Sequence, residues 1–230
     1  VIVIDTGSFA GASVTKGVKI NVPSGAIAFS ASSVVVNAPG ATVVIRGLTL
    51  KAFTPGSGIG IDIQAAATVL VENCVLDGWV AGIVVGANGV RVDVKDTTMR
   101  NNSFDGMTVA ANSALVTIDQ SRLERNLNFA LQVNGTSKVT VTRSFIAGNN
   151  AGVGTRIAGA DMSVSRSTIS GNTFSGGFSE GGTFRIAESL IVGNGVGLNH
   201  ISGTLESFQD NIVRGNTTNT SGTITAVTRQ

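Results

Sequence analysis

Arg143 and Arg166 occupy the same place in two near-copies, "KVTVTRSFIAGNN" and "DMSVSRSTISGNT", and Glu188 follows in a third, "TFRIAESLIVGNG". If the copies stack in register, the two guanidinium groups lie one above the other, with Arg122, Arg125 and Arg156 in the same or neighbouring copies. Like charges facing across a sheet oppose each other unless an anion or solvent intervenes. An acidic polysaccharide would supply that anion, so Arg143 and Arg166, with Glu188 facing Arg166, are candidate substrate-binding residues. A second constellation is Glu72, Asp93 and Asp96 beside Lys95. Three carboxylates on adjacent copies suit a calcium ion, which takes several oxygen ligands. Ca2+ is the one cofactor these residues suggest. Trp79 is a third candidate, since it shares its repeat position with Phe53, with Phe104 and Phe129 in the matching bends that follow. Exposed, these rings make a stacking platform for a sugar; buried, they close the wide end of a rod.

Other chemistries find little support. One histidine, one cysteine and no tyrosine leave no disulfide and no zinc set. His200 lies outside any Gly-x-Ser-x-Gly elbow and reads as an inert bend residue. Cys74 falls in an inward column of small residues and reads as core. Inverting glycoside hydrolysis needs paired carboxylates with room for water. At least six of the fourteen acids instead have a cation one copy away: Arg46, Glu72, Lys95 and Asp119 alternate in one column, and Lys51, Asp77, Arg100 and Glu124 in another. Arg166 likewise faces Glu188, and Arg185 faces Glu206. Such ladders set register and keep the surface soluble, and they leave few carboxylates for catalysis.

The elements that must position these residues follow from the repeat. Units begin at Thr42, Thr68, Arg91, Leu115, Lys138, Asp161, Thr183 and Thr204 and run 21 to 26 residues. Positions two and four of each are apolar and largely β-branched, as in Val139/Val141 and Met162/Val164. That alternation predicts a short strand with one buried face. Position seven is small and position nine always apolar, so a bend follows position five. Position twelve becomes asparagine from Asn102 through Asn126, Asn149, Asn172 and Asn194. Asparagine tolerates the left-handed bend conformation, and stacked amides can hydrogen-bond from coil to coil. One such coil cannot bury its apolar face alone, whereas stacked copies can. The expectation is an all-β, parallel β-solenoid of nine to ten coils. Right-handed winding follows from the usual hand of parallel crossovers.

At this point the whole chain resembles the right-handed parallel β-helix proteins of the pectate-lyase-like superfamily. "DTGSFAGASVTKGVKINVPSG" and "GTLESFQDNIVRGNTTNT" are similar to a group of uncharacterised bacterial β-helix-repeat proteins within it. The resemblance implies the architecture and little function, because one fold hosts lyases, glycosidases, esterases, binding proteins and scaffolds. The Trp-Ile-Asp-His and Arg-x-Pro-x-x-Arg stretches of pectate lyases do not occur, nor do the Asn-Thr-Asp, Gly-Asp-Asp, Gly-His-Gly and Arg-Ile-Lys stretches of polygalacturonases.

Only 13% of residues are charged and the net charge is +2, too weak a field to imply nucleic acid or an anionic membrane. No apolar run reaches the length of a membrane span. The start "VIVIDTGSFAG" suggests a processed or trimmed chain, and an extracytoplasmic or secreted address is expected. The sequence therefore predicts a single domain over 1–230: N-terminal coils over 1–41, seven regular coils over 42–203, and a last coil with a cap or tail over 204–230. The leading functional expectation is a non-catalytic structural, adhesive or carbohydrate-contacting protein. A polysaccharide lyase or other carbohydrate-active enzyme acting on an acidic polysaccharide is the alternative. A rod that self-associates end to end or side by side, or binds a partner, is the third class.

Overall fold

The computed structural model describes residues 7–23 and 27–228. Parts of the expected first coils, and the final two residues, lie outside the described residues. Three ten-stranded sheets wind around one axis, and every strand pairs in parallel with its equivalent one coil away. We name them A, B and C. Sheet A carries the strands that open each unit, among them Thr42–Arg46, Thr68–Glu72, Arg91–Lys95, Leu115–Asp119, Lys138–Thr142 and Asp161–Ser165. Each begins at the unit start expected from the repeat. Val139 lies over Met162 and Val141 over Val164, so equivalent side chains form continuous inward spines. Sheet B carries the short strands around position nine, such as Val75–Asp77 and Phe145–Ala147. Its Leu50, Leu76, Met99, Leu123, Ile146 and Ile169 stack in the core without solvent contact. Sheet C carries the return strands, including Ala81–Val85, Asp105–Val109 and Phe129–Val133.

Two sharp bends per coil turn these strands. Between sheets A and B the bend residue is left-handed: Asn73, Asp96, Gln120, Arg143, Arg166 and Glu188 have φ of 47° to 51°. Such values are uncommon outside glycine, asparagine and aspartate. The following residue turns inward and repays the strain with hydrogen bonds. The backbone N–H of Thr97 donates to Ser121 Oγ at 3.2 Å, and Ser121 and Ser144 continue the file. Each hydroxyl donates in turn to a carbonyl two residues back, as Ser144 does to Thr142 at 2.8 Å.

The second bend, between B and C, is followed by the buried asparagine ladder. Asn126 donates its N–H and its side-chain amide to Asn149 Oδ1, both at 2.9 Å, and Asn149 repeats this toward Asn172 at 3.0 Å. The ladder also dictates glycine on sheet C. A Cβ at Gly82 would lie 2.6 Å from the Gly106 carbonyl and 3.3 Å from the Asn102 amide nitrogen. The Thr-rich C-terminal segment does not fold back as a cap: Ile212–Arg214, Thr218–Ser221 and Thr225–Val227 continue the winding as a largely exposed last rung. Among the described residues no helix is long and apolar enough to cross a membrane.

Candidate functional site

Glu72, Asp96, Arg143, Arg166 and Glu188 all come to one edge of the rod, the left-handed bend between sheets A and B. Residues at position five leave sheet A there, and residues at position six project from the bend itself. The register places Arg46 beside Glu72, Glu72 beside Lys95, and Lys95 beside Asp119. Arg46 Nε donates to Glu72 Oε2 at 2.6 Å. Arg46, Glu72, Asn73, Lys95 and Asp96 line an open depression of about 390 Å3.

Further along, the expected repulsion between Arg143 and Arg166 is relieved by divergence. Arg143 reaches back to Asp119 Oδ2 at 2.5 Å, whereas Arg166 reaches forward to Glu188 Oε2 at 2.9 Å. Both side chains stay well exposed, at 51% and 61%. Burial pushes the Asp119 carboxyl upward, but the Thr142 hydroxyl, the Arg143 guanidinium and the Lys95 ammonium outweigh it and hold the group below its ordinary value. The hydrogen bond from Arg166 to Glu188, with their mutual attraction, raises the arginine further still. The Glu188 N–H is accepted by Asp210 Oδ1 at 2.8 Å, which fixes the bend that carries this carboxylate.

Two expectations are corrected. The cation cluster of Glu72, Asp93 and Asp96 does not assemble: among the described residues no three His, Cys, Asp or Glu side chains are grouped so as to hold a metal. Asp93 lies on the outer face of sheet A, where Arg91 on the same strand holds it through bonds of 2.9 and 3.3 Å. Glu72 is taken by Arg46. Trp79, expected as a sugar platform if exposed, is only 3% exposed. Its backbone N–H donates to Asn102 Oδ1 at 2.9 Å, and its indole N–H donates to the Leu50 carbonyl at 3.0 Å. Asn149 makes the equivalent bond to Leu123 O. The indole thus heads the asparagine ladder and does an amide's work there, because it carries a donor that can reach the same carbonyl.

The remaining carboxylates are mostly spent. Arg100 holds Asp77 at 3.1 Å, Arg122 holds Glu124 at 2.9 Å, Arg156 holds Glu180 at 2.5 Å, and Arg185 bridges Asp161 and Glu206 at 2.5 and 2.8 Å. Asp105 was not among the residues singled out from the sequence. Asp105, on the outer side of sheet C, is fully buried without a cation. It accepts from Thr108 Oγ1 at 2.5 Å, Asn128 Nδ2 at 3.0 Å, the Phe129 N–H at 3.1 Å and the Gln132 amide. Beside it Phe129 and Phe178 pack at 5.1 Å between centroids, with Arg156 over the Phe129 ring. The spacing of Asp105 and Gln132 was the available signal, but it needed the phase of sheet C. Enclosed by four donors, Asp105 has no path to an external substrate.

A family model described as the right handed beta helix region matches residues 81–229. The chain belongs to the right-handed β-helix family. The winding of this β-helix is therefore the one expected from the sequence. Among solved structures it is similar to the crystal structure of pectate lyase Pel9A, with a TM-score of 0.61 and 13% identity over 95% of this chain and 68% of that one. The A-module of the Azotobacter vinelandii mannuronan C-5 epimerase AlgE6 also matches, with a TM-score of 0.36 and 13% identity over 98% of this chain and 90% of that one. At such identity the first similarity speaks for a pectate-lyase-like fold alone, and the second carries no argument. Among curated proteins, none matches the sequence.

Proposed function

We propose that this β-helix is a non-catalytic, extracytoplasmic protein that holds an acidic polysaccharide along its A/B edge. One observation carries the reading: Arg143 and Arg166 are each oriented by an internal carboxylate yet remain more than half exposed. A guanidinium has five N–H donors in a rigid fork. Asp119 and Glu188 orient the two forks and leave donors facing solvent, one rung apart, on the bend between sheets A and B. A lyase would instead need unpaired carboxylates for calcium or a free base within hydrogen-bond reach of the sugar. Along this edge Glu72, Asp119 and Glu188 are each engaged by an arginine, which favours binding over catalysis.

The test uses polygalacturonate and alginate with the intact protein, read by calorimetry and by the ultraviolet band of unsaturated uronates. Binding that weakens with added salt is expected, because exposed charges are screened. Arg143→Gln with Arg166→Gln should weaken it about tenfold, from two exposed charge contacts of roughly 0.5–1 kcal/mol each. Growth of the ultraviolet band would overturn the non-catalytic reading. Unchanged affinity in the double variant would overturn the edge.

A further inference from the structure

Phe53 breaks the pattern of its column. Trp79, Asn102, Asn126, Asn149, Asn172 and Asn194 turn inward at the equivalent position and are buried, whereas Phe53 is 87% exposed. Trp79 explains why. Its ring extends toward the preceding coil, reaching the Leu50 carbonyl, and a side chain at Gly60 would meet it at 3.2 Å. The space a position-twelve side chain would fill in that coil is occupied, so Phe53 is turned out. The loop that follows, "TPGSG", holds it there through the Gly56 N–H on Gly78 O and the Ser57 hydroxyl on Thr54 O, both at 2.7 Å.

Turning out requires no phenyl group; a serine or asparagine would meet water at lower cost. Yet Phe29, 47% exposed on the preceding coil, stands nearby. The two rings, with Ser30, Ala31, Lys51 and Ala52, line an open cleft of about 270 Å3 on the outer face of sheet B. Lys51 is the charge in this cleft, and no ion pair among the described residues engages it. Its register neighbour Asp77 is held instead by Arg100 at 3.1 Å and by the Asn101 amide at 2.9 Å.

We propose that this cleft is a binding subsite for a single uronic acid residue. A pyranose ring has an apolar face of C–H bonds that packs against phenyl groups, and a uronate adds one carboxylate for an unpartnered ammonium. A mostly apolar, aromatic lining with one placed charge is the usual composition of a small-molecule site. The class of ligand rests on the reading of the rod as an acidic-polysaccharide binder, but the surface is a different one from the A/B edge. The cleft shares its coil with Arg46, so a polymer leaving the edge at that end has sheet B beside it.

Amide NMR of the intact protein with a galacturonate trimer, and with its methyl ester as the uncharged control, tests the assignment. Saturable shifts are expected at residues 29–31 and 51–53, with the acid binding more tightly than the ester. Phe53→Ala should weaken both ligands by tenfold or more, without lowering the melting temperature, since the ring is exposed. Lys51→Gln should make acid and ester equal. Shifts confined to the surroundings of Arg143 and Arg166 would overturn the cleft and leave the edge standing. An absence of saturable shifts anywhere would overturn both. Equal affinities of the Phe53→Ala and parent proteins would overturn the cleft alone.

Discussion

Asn149 sits at the middle of the buried ladder, and its replacement by alanine should be among the most damaging single changes in the rod. Its Oδ1 is the acceptor for both the backbone N–H and the side-chain amide of Asn126. Its own amide donates to Leu123 O at 3.1 Å and Asn172 Oδ1 at 3.0 Å. In the alanine variant the Asn126 N–H loses its acceptor where no solvent reaches, a cost of about 1–3 kcal/mol. The two donated bonds are lost as well, at roughly 1 kcal/mol each. A total of about 3–5 kcal/mol is expected, against about 0.5 kcal/mol or less for Thr140→Ala on the exposed face of sheet A. Urea unfolding measures the difference, and the location of the lesion can be read as well. Trp79 is the sole tryptophan and heads the same ladder, so its fluorescence reports the N-terminal side of the lesion, whereas circular dichroism reports all the sheets. Coils contact only their neighbours in a solenoid, so a weakened rung in the middle should let the C-terminal coils melt first. The dichroism midpoint is expected below the fluorescence midpoint in the variant and at the same urea concentration in the parent. A loss under 1 kcal/mol, with coincident midpoints, would refute the ladder as a stabilising element.

Ile146 is fully buried between Leu123 and Ile169 in the sheet B spine. Ile146→Asp should abolish soluble folded protein, because the carboxylate would enter the core unpaired; a soluble variant with the parent melting curve would disprove that placement. Burial raises the Cys74 thiol to about 11 from an ordinary value of 9.0. The group therefore contributes stability that is complete below pH 9 and is lost as the pH rises through about 11, on the order of 2–3 kcal/mol in all. Parent and Cys74→Ala proteins compared by urea unfolding from pH 8 to 11.5 should converge over that window. Parallel pH profiles for the two would show that the thiol is not buried as described.

What could be read in advance and what could not differ in a physical way. The spines at positions two, four and nine and the ladders Arg46–Glu72 and Asp77–Arg100 were legible, because parallel in-register stacking sets like position over like and leaves each residue's neighbours one repeat away. Sheet C was not phased. Relative to the unit start, Asp105–Val109, Phe129–Val133 and Ser175–Ser179 begin one residue later than Ala81–Val85, Ala151–Thr155 and Val196–His200. A one-residue slip exchanges the faces of a strand, and glycines at Gly82, Gly106, Gly152 and Gly176 remove the hydrophobic signal that would have corrected it. Asp105, Gln132 and Phe178 were lost to the sequence reading for that reason.

The same distinction applies to the site. Repeat position told which residues share the A/B edge, since Arg143, Arg166 and Glu188 occupy one column. It could not tell which way a long side chain leans, and that choice decides the chemistry. Arg143 leaning back to Asp119 and Arg166 leaning forward to Glu188 turn an apparent repulsive stack into two separate oriented forks. Arg91 folding along its own strand onto Asp93 removes the acid that a calcium site would have required. Position twelve shows the rule most simply. Phe53 and Trp79 are adjacent in one column, yet one faces solvent and the other heads the ladder: the indole donates to the Leu50 carbonyl one coil back, whereas a phenyl ring has no donor for an equivalent bond. In a stacked coil the repeat assigns the address, and the hydrogen-bonding capacity of the individual side chain decides whether it is used inside the rod or left outside for a ligand.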